Sequence, residues 1–206
     1  MAISTYAELQ TAIADFLNRD DLTSIIPTFI DLAESTFNRG LRHWRLESRS
    51  NAEINDQYLT LPNDWQETIR VTLLGDQPSA INLISRDEMQ DMRFKGDDVG
   101  GKPMYYAHIA GELELYPTPD ATYDVELLYY AKPDALSDSN TTNVVLDNWP
   151  ELYLYGSLVH AANYLRDPER GAEFAQLYNA ILQGIEAESR KSVTSGSGLK
   201  LNIRSY

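Results

Sequence analysis

The sequence contains no cysteine and only three histidines. The lack of cysteine excludes disulfides, thiolate nucleophiles and zinc or iron–sulfur sites built on cysteine. The histidines His43, His108 and His160 are too scattered for a recognised zinc-binding pattern. We therefore expect no metal and no cofactor, and a fold held together by packing, hydrogen bonding and partners.

Long apolar runs and a surplus of basic residues are also missing. No apolar stretch approaches the roughly 20 residues that cross a bilayer, and the opening MAISTYAELQ lacks the basic and apolar regions of an export signal. We therefore expect no membrane association and no Sec-type export of the chain itself. Lys and Arg number 17 against 31 Asp and Glu, for a net charge of −14. Such an acidic chain disfavours ordinary binding to the nucleic-acid backbone.

Strong catalytic motifs are missing as well, since the sequence has neither a G-x-S-x-G elbow nor a Walker-type phosphate loop. The adjacent Asp97 and Asp98 could be imagined as a metal or acid/base site, but carboxylates flanked by glycine are typical of turns. Glu112 and Glu114 alternate with leucines, which predicts a solvated strand face. The sequence therefore predicts a protein that is not an enzyme.

Two helices are predicted at the start of the chain. Thr5 and Glu8 form a capping box before a helical apolar pattern, and a second helix begins near Pro27 and keeps helical spacing as far as Leu41. Arginines cluster where this helix ends: Arg39, Arg42, Arg45 and Arg49. They favour salt bridges within the protein or to an identical neighbour, with contact to phosphate as the alternative.

The middle of the chain alternates with the period of a β-strand and is rich in tyrosine. A short helix capped by Ser85 interrupts the strands, and Gly111 is a plausible turn centre. The tyrosines are consistent either with a buried β-sandwich or with a protein interface.

Two further helices follow, with Pro150 and Pro168 in their first turns. No charged residue lies between Leu152 and Leu165, which predicts burial on several sides. We therefore predict an α+β fold, with a four-helix core built from N- and C-terminal helix pairs, a β-rich insertion and an extended C-terminal arm. The predicted boundaries are 1–45 and 146–192 for the helical domain, 46–145 for the β-rich domain and 193–206 for the arm.

The arm ends in a Ser/Gly tether followed by LKLNIRSY. Leu199, Leu201 and Ile203 would share one face of a strand, and Lys200 and Arg204 the other. Residues 189–206 contain basic residues but no acidic one, which suits an acidic partner. The alternation predicts strand addition to the edge of a partner's sheet.

The segments YAELQTAIADFLNRDDLTSIIPTFIDLAESTFNRGLR and YLTLPNDWQETIRVTLLG, together with NWPELYLYGSLVHAANYL, resemble the head-to-tail adaptor proteins of tailed bacteriophages, the group that includes podophage tail tubular protein A. The likeness covers most of the chain and includes the order of its elements. It is a likeness of pattern and carries no catalytic signature.

The resemblance implies a structural virion protein that assembles in the host cytoplasm. Its partners would be the portal protein and the tail nozzle protein, with tail fibres as a further candidate. It would form a ring, expected to be a dodecamer, through which DNA passes without specific binding. The portal-binding segment would then contain Leu199, Lys200, Leu201, Ile203, Arg204 and Tyr206.

Two alternatives remain open at this point. One is a tail-associated hydrolase that uses carboxylates such as Asp97, Asp98 or Glu112. The other is a tail-completion or neck protein of a different phage architecture.

Overall fold

The structure is a computed structural model that describes residues 3–96 and 99–194. The chain divides into two compact units. The helical unit contains the described residues 3–46 and 133–194, and the β-rich unit spans Glu47–Lys132. The predicted α+β fold class is confirmed.

The described residues form six α-helices, which we number in chain order. They are α1 (Tyr6–Leu17), α2 (Ile26–Asn38), α3 (Arg86–Lys95), α4 (Val144–Asn148), α5 (Pro150–Leu165) and α6 (Pro168–Thr194). Short 3-10 turns cover Asp20–Leu22 and Trp44–Leu46. None of the helices in the described part of the chain is long and apolar enough to span a membrane.

The start of α1 matches its prediction, and the end of α2 does not. The Thr5 hydroxyl accepts a hydrogen bond from the Glu8 backbone N–H (3.3 Å), and the Glu8 carboxylate accepts one from the Thr5 N–H (3.1 Å), which completes the capping box. α2 ends at Asn38, although the apolar spacing continues to Leu41. The Gly40 N–H donates to the Phe37 carbonyl (3.1 Å). Leu41 lies beyond the end of the helix and is nevertheless buried.

α5 lies at the centre of the helical unit, where it contacts α1, α2, α4 and α6. The Phe37 and Tyr153 rings meet edge to face at 5.0 Å. Half of the helix is buried, which confirms the predicted burial on several sides; the buried residues are Leu152, Tyr153, Leu154, Gly156, Ser157, Leu158, Ala161 and Ala162. The narrower prediction of a four-helix core stays a prediction.

The β-rich unit contains one seven-stranded sheet in the order β1-β7-β3-β4-β5-β6-β2. Its strands are β1 (Glu47–Ile54), β2 (Tyr58–Thr60), β3 (Trp65–Leu73), β4 (Ser79–Leu83), β5 (Tyr105–Ile109), β6 (Glu112–Tyr116) and β7 (Tyr123–Ala131). All neighbouring strands are antiparallel except β4 and β5, which are parallel. β3 carries two irregularities in its pairing with β7, whereas β1 pairs with β7 in unbroken register.

Side chains from β1 and β3–β7 contact one another in a single core. Tyr106 and Tyr129 belong to this core, and the Tyr129 hydroxyl donates to the Asp64 carboxylate (3.0 Å). These two tyrosines are therefore buried, but by one sheet and not by the predicted sandwich, whereas Tyr58 on the edge strand β2 is 48 % exposed. The predicted turn between β5 and β6 lies at Ala110 and Gly111, both with positive φ.

Candidate functional surfaces

The residues predicted to bind the portal, Leu199 to Tyr206, lie outside the described residues. The same holds for Asp97 and Asp98. Of the candidate carboxylates, the structure therefore places only Glu112, which accepts a hydrogen bond from the Thr60 hydroxyl across the neighbouring strand (3.1 Å). Within residues 3–96 and 99–194, no cluster of three His, Asp or Glu side chains could hold a metal ion.

Glu114 corrects the prediction of a solvated strand face. It is 5 % exposed, and its carboxylate accepts hydrogen bonds from the Arg93 guanidinium (2.5 Å) and the Gln57 amide (2.9 Å). The Arg93 side chain also donates to the Leu115 carbonyl (2.7 Å). Because a buried charge is stable only when it is paired and hydrogen-bonded, this ion pair holds α3 against β6.

The three histidines occupy structural positions. His160 is hydrogen-bonded to the Thr36 hydroxyl (3.3 Å), as expected for a core histidine. His43 has no exposed surface and meets the Trp149 ring edge to face at 4.6 Å. Burial lowers the pKa of all three imidazoles, in His43 against the opposing effect of the Glu188 carboxylate.

The four arginines of the cluster make contacts of several kinds. The Arg39 side chain donates to the Ser35 carbonyl (3.1 Å) and the Arg42 side chain to the Leu41 carbonyl (2.9 Å). The Arg45 guanidinium stacks over the Trp44 ring at 4.7 Å, and Arg49 lies 4.0 Å from the Glu126 carboxylate. The contact of Arg49 with Glu126 is a salt bridge of the predicted kind.

A buried polar network within the helical unit joins α2, α5 and the segment 134–143 that precedes α4, and the sequence interpretation missed it. The Glu34 carboxylate accepts hydrogen bonds from the Tyr153 hydroxyl (2.9 Å) and the Leu136 N–H (2.8 Å). The Asn143 amide donates to the Tyr153 oxygen (2.7 Å) while its own oxygen caps α4. A signal was available, because Glu34 falls on the apolar face of α2 beside Ile30.

An aromatic cluster joins α1, α5 and α6 at the surface of the helical unit. Phe16 is 47 % exposed, and its ring lies 6.4 Å from that of Tyr155. The Arg170 guanidinium covers the Phe174 ring at 5.5 Å and donates to the Phe16 carbonyl (3.0 Å). Leu177, two turns along α6 from Arg170, is 46 % exposed. A surface with exposed apolar side chains and an arginine has the composition of a protein interface.

The two edges of the sheet differ in length. β2 has three residues, whereas β1 has eight and, among the described residues, no backbone hydrogen bond on its free side. Natural proteins protect exposed edges with short strands, bulges, lysine or proline. β1 contains none of these, although Glu47, Arg49 and Glu53 place three charges on it. Among the described residues, this edge therefore has no paired strand.

Comparison with known families agrees with the order and type of these elements. The sequence model of the SU10 adaptor protein family matches residues 4–199. The chain belongs to this family. The SU10 adaptor family comprises phage head-to-tail adaptors, so the chain is a phage adaptor and a component of the virion, and the predicted family assignment is confirmed. A search of curated proteins finds no match to the chain.

Proposed function

We propose that this SU10 adaptor protein forms a ring between the portal and the tail nozzle and performs no chemistry. The observation that carries the proposal is the family match over residues 4–199. In the proposed assembly the ring is dodecameric, DNA passes through its centre, and tail fibres are a possible further partner. The net charge of −14 supports a channel that does not hold DNA through its phosphates.

The contact between neighbouring subunits is proposed to be heterologous, because a head-to-tail contact that closes on itself produces a ring. The aromatic cluster of α1, α5 and α6 supports this proposal, since Phe16 and Leu177 are apolar and about half exposed. Before docking, we expect a monomeric or weakly associated protein. A stable ring formed by the pure protein at low concentration would contradict that expectation.

The C-terminal segment is proposed to bind the portal through Leu199, Lys200, Leu201, Ile203, Arg204 and Tyr206. Its apolar side chains would fill pockets while its backbone extends a sheet of the portal. The basic residues Lys200 and Arg204 suit an acidic portal surface.

Truncation after Ser192 tests this role. Because Ser189 is the last buried residue among positions 3–192, the shortened chain should keep its fold and its thermal unfolding midpoint. Co-sedimentation with the purified portal should be lost in the truncated chain and present in the full chain. Equal binding of the two chains to the portal would contradict a role of this segment in portal binding. Turnover of peptidoglycan by the full chain would instead support the hydrolase.

A further inference from the structure

We propose that the C-terminal segment Leu199–Arg204 of one copy adds as an antiparallel strand to the free edge of β1 in a second copy. This inference goes beyond the proposed function, and its test needs no portal. It concerns the state of the protein before the portal is available. The portal would then compete with β1 for the same segment.

The first support is the free edge itself. In a strand that pairs on one side only, every second residue directs its N–H and C=O away from the sheet. All eight residues of β1 hold register with β7, from Glu47 opposite Tyr130 to Ile54 opposite Tyr123. The edge is therefore regular and long enough for a six-residue partner strand. The opposite edge, β2, offers only three residues.

The second support is that the alternation of apolar and polar side chains in the segment matches the alternation of core-side and outer-side positions in β1. Ser48, Ser50 and Ala52 are half-buried on the core side of β1, and Ala52 already packs against the core. With Leu199 opposite Ala52 and Leu201 opposite Ser50, the apolar side chains of the segment would extend this core. A shift by one residue would turn them to solvent, so the pattern specifies the face.

Charge provides the third support. The outer face of β1 carries Glu47, Arg49 and Glu53; Arg49 lies 4.0 Å from the Glu126 carboxylate, and Glu53 lies directly opposite Asp124 of β7. Both members of that pair are exposed, and like charges in this position are unfavourable. In the proposed register Arg204 lies beside Glu47, and Lys200 is a diagonal neighbour of Glu53. The segment has no acidic residue that would oppose these contacts.

The proposed occupant is the segment of a second copy, because its apolar side chains match the core side of β1 and its basic residues lie beside Glu47 and Glu53. Pairing by one short strand is weak, since only a few exposed charge contacts and side chains support it. It agrees with a protein that associates weakly before docking. The contact is also heterologous, since the segment and the edge are different surfaces.

Because the chain has no cysteine, single cysteines test the pairing directly. Full-length Ser50→Cys and Leu201→Cys proteins are mixed under mild oxidation, and linked peptides are identified by mass spectrometry. Residues opposite each other on paired strands are close enough for a disulfide. Lys200→Cys in place of Leu201→Cys is the matched control, since it would point to the other face.

We expect the Ser50–Leu201 link to exceed the Ser50–Lys200 link by about tenfold, because neighbouring residues on a strand face opposite sides. Equal yields, or no link, would overturn the proposal. A link that forms only within a doubly substituted chain, and not in the mixture, would assign the segment to its own β1 and overturn the claim of a second copy.

Charge reversal provides an independent readout. Glu47→Lys on the Ser50→Cys copy should lower the yield about two- to fivefold, as expected for one exposed charge pair. Arg204→Glu on the other copy should restore it. If the two changes together lower the yield further, the proposed register is wrong.

Discussion

The same substitution, glycine to alanine, should have opposite effects at two helical positions. In α6, Gly184 is exposed, and an added Cβ would meet nothing within 4 Å. Alanine at this position should therefore stabilise the protein by about 1 kcal/mol, the difference in helix propensity between the two residues. In α5, a Cβ on Gly156 would lie 3.1 Å from the Ala33 Cβ and 3.2 Å from a ring carbon of Tyr178.

Neither neighbour of Gly156 is the free end of a flexible side chain. Ala33 is fixed on α2 and Tyr178 is buried against α5, so at least one helix must shift to accept the methyl group. Overpacking of this kind costs about 1–3 kcal/mol. Set against the gain in propensity of about 1 kcal/mol, Gly156→Ala should be neutral or destabilising by up to about 2 kcal/mol.

Thermal unfolding followed by far-UV circular dichroism measures both variants. For a chain of this size, each 1 kcal/mol shifts the midpoint by about 2–4 °C. We expect Gly184→Ala to raise the midpoint and Gly156→Ala to leave it unchanged or lower it. Equal increases in the two variants would refute the close packing of α5 between α2 and α6.

Three further predictions concern buried polar groups. Glu114→Gln should destabilise the protein by about 2 kcal/mol in denaturant unfolding, because the paired guanidinium stays buried without its anion; an unchanged midpoint would mean that the pair is solvated. Tyr153→Phe removes the hydrogen bonds to Glu34 and from Asn143, and should cost about 1–3 kcal/mol; no loss would show that the network does not contribute to stability. Burial lowers the pKa of the histidines below the unfolded-state pKa of 6.5. Their contribution to stability is therefore fully present above pH 6.5 and is lost as the pH falls below 6.5. His43→Asn should flatten that part of the pH profile of the unfolding midpoint, and an equally steep profile would assign the dependence to other groups.

Local signals predicted individual elements well. The capping box of Thr5 and Glu8, the cap at Ser85 and the prolines at 150 and 168 all lie where helices begin. These signals succeed because they depend on residues within one turn of each other. α4 and β4 escaped prediction because each is only five residues long, which is too short for a clear period in its apolar residues.

The sites that depend on long-range contacts could not be predicted in the same way. The partner of Glu114 is Arg93 on a helix, and alternation along the strand indicates a face but not what covers it. Glu34 is similar, since Leu136 and Tyr153 reach it from segments about a hundred residues away. The end of α2 was misjudged because Leu41 is buried by tertiary packing after the helix has stopped.

The most direct test of the central claim is electron microscopy of the full-length protein alone and mixed with its cognate portal. We expect rings of this protein only on the portal, with density for Leu199–Tyr206 against portal subunits. A failure of the two proteins to associate would contradict the adaptor assembly proposed for this chain.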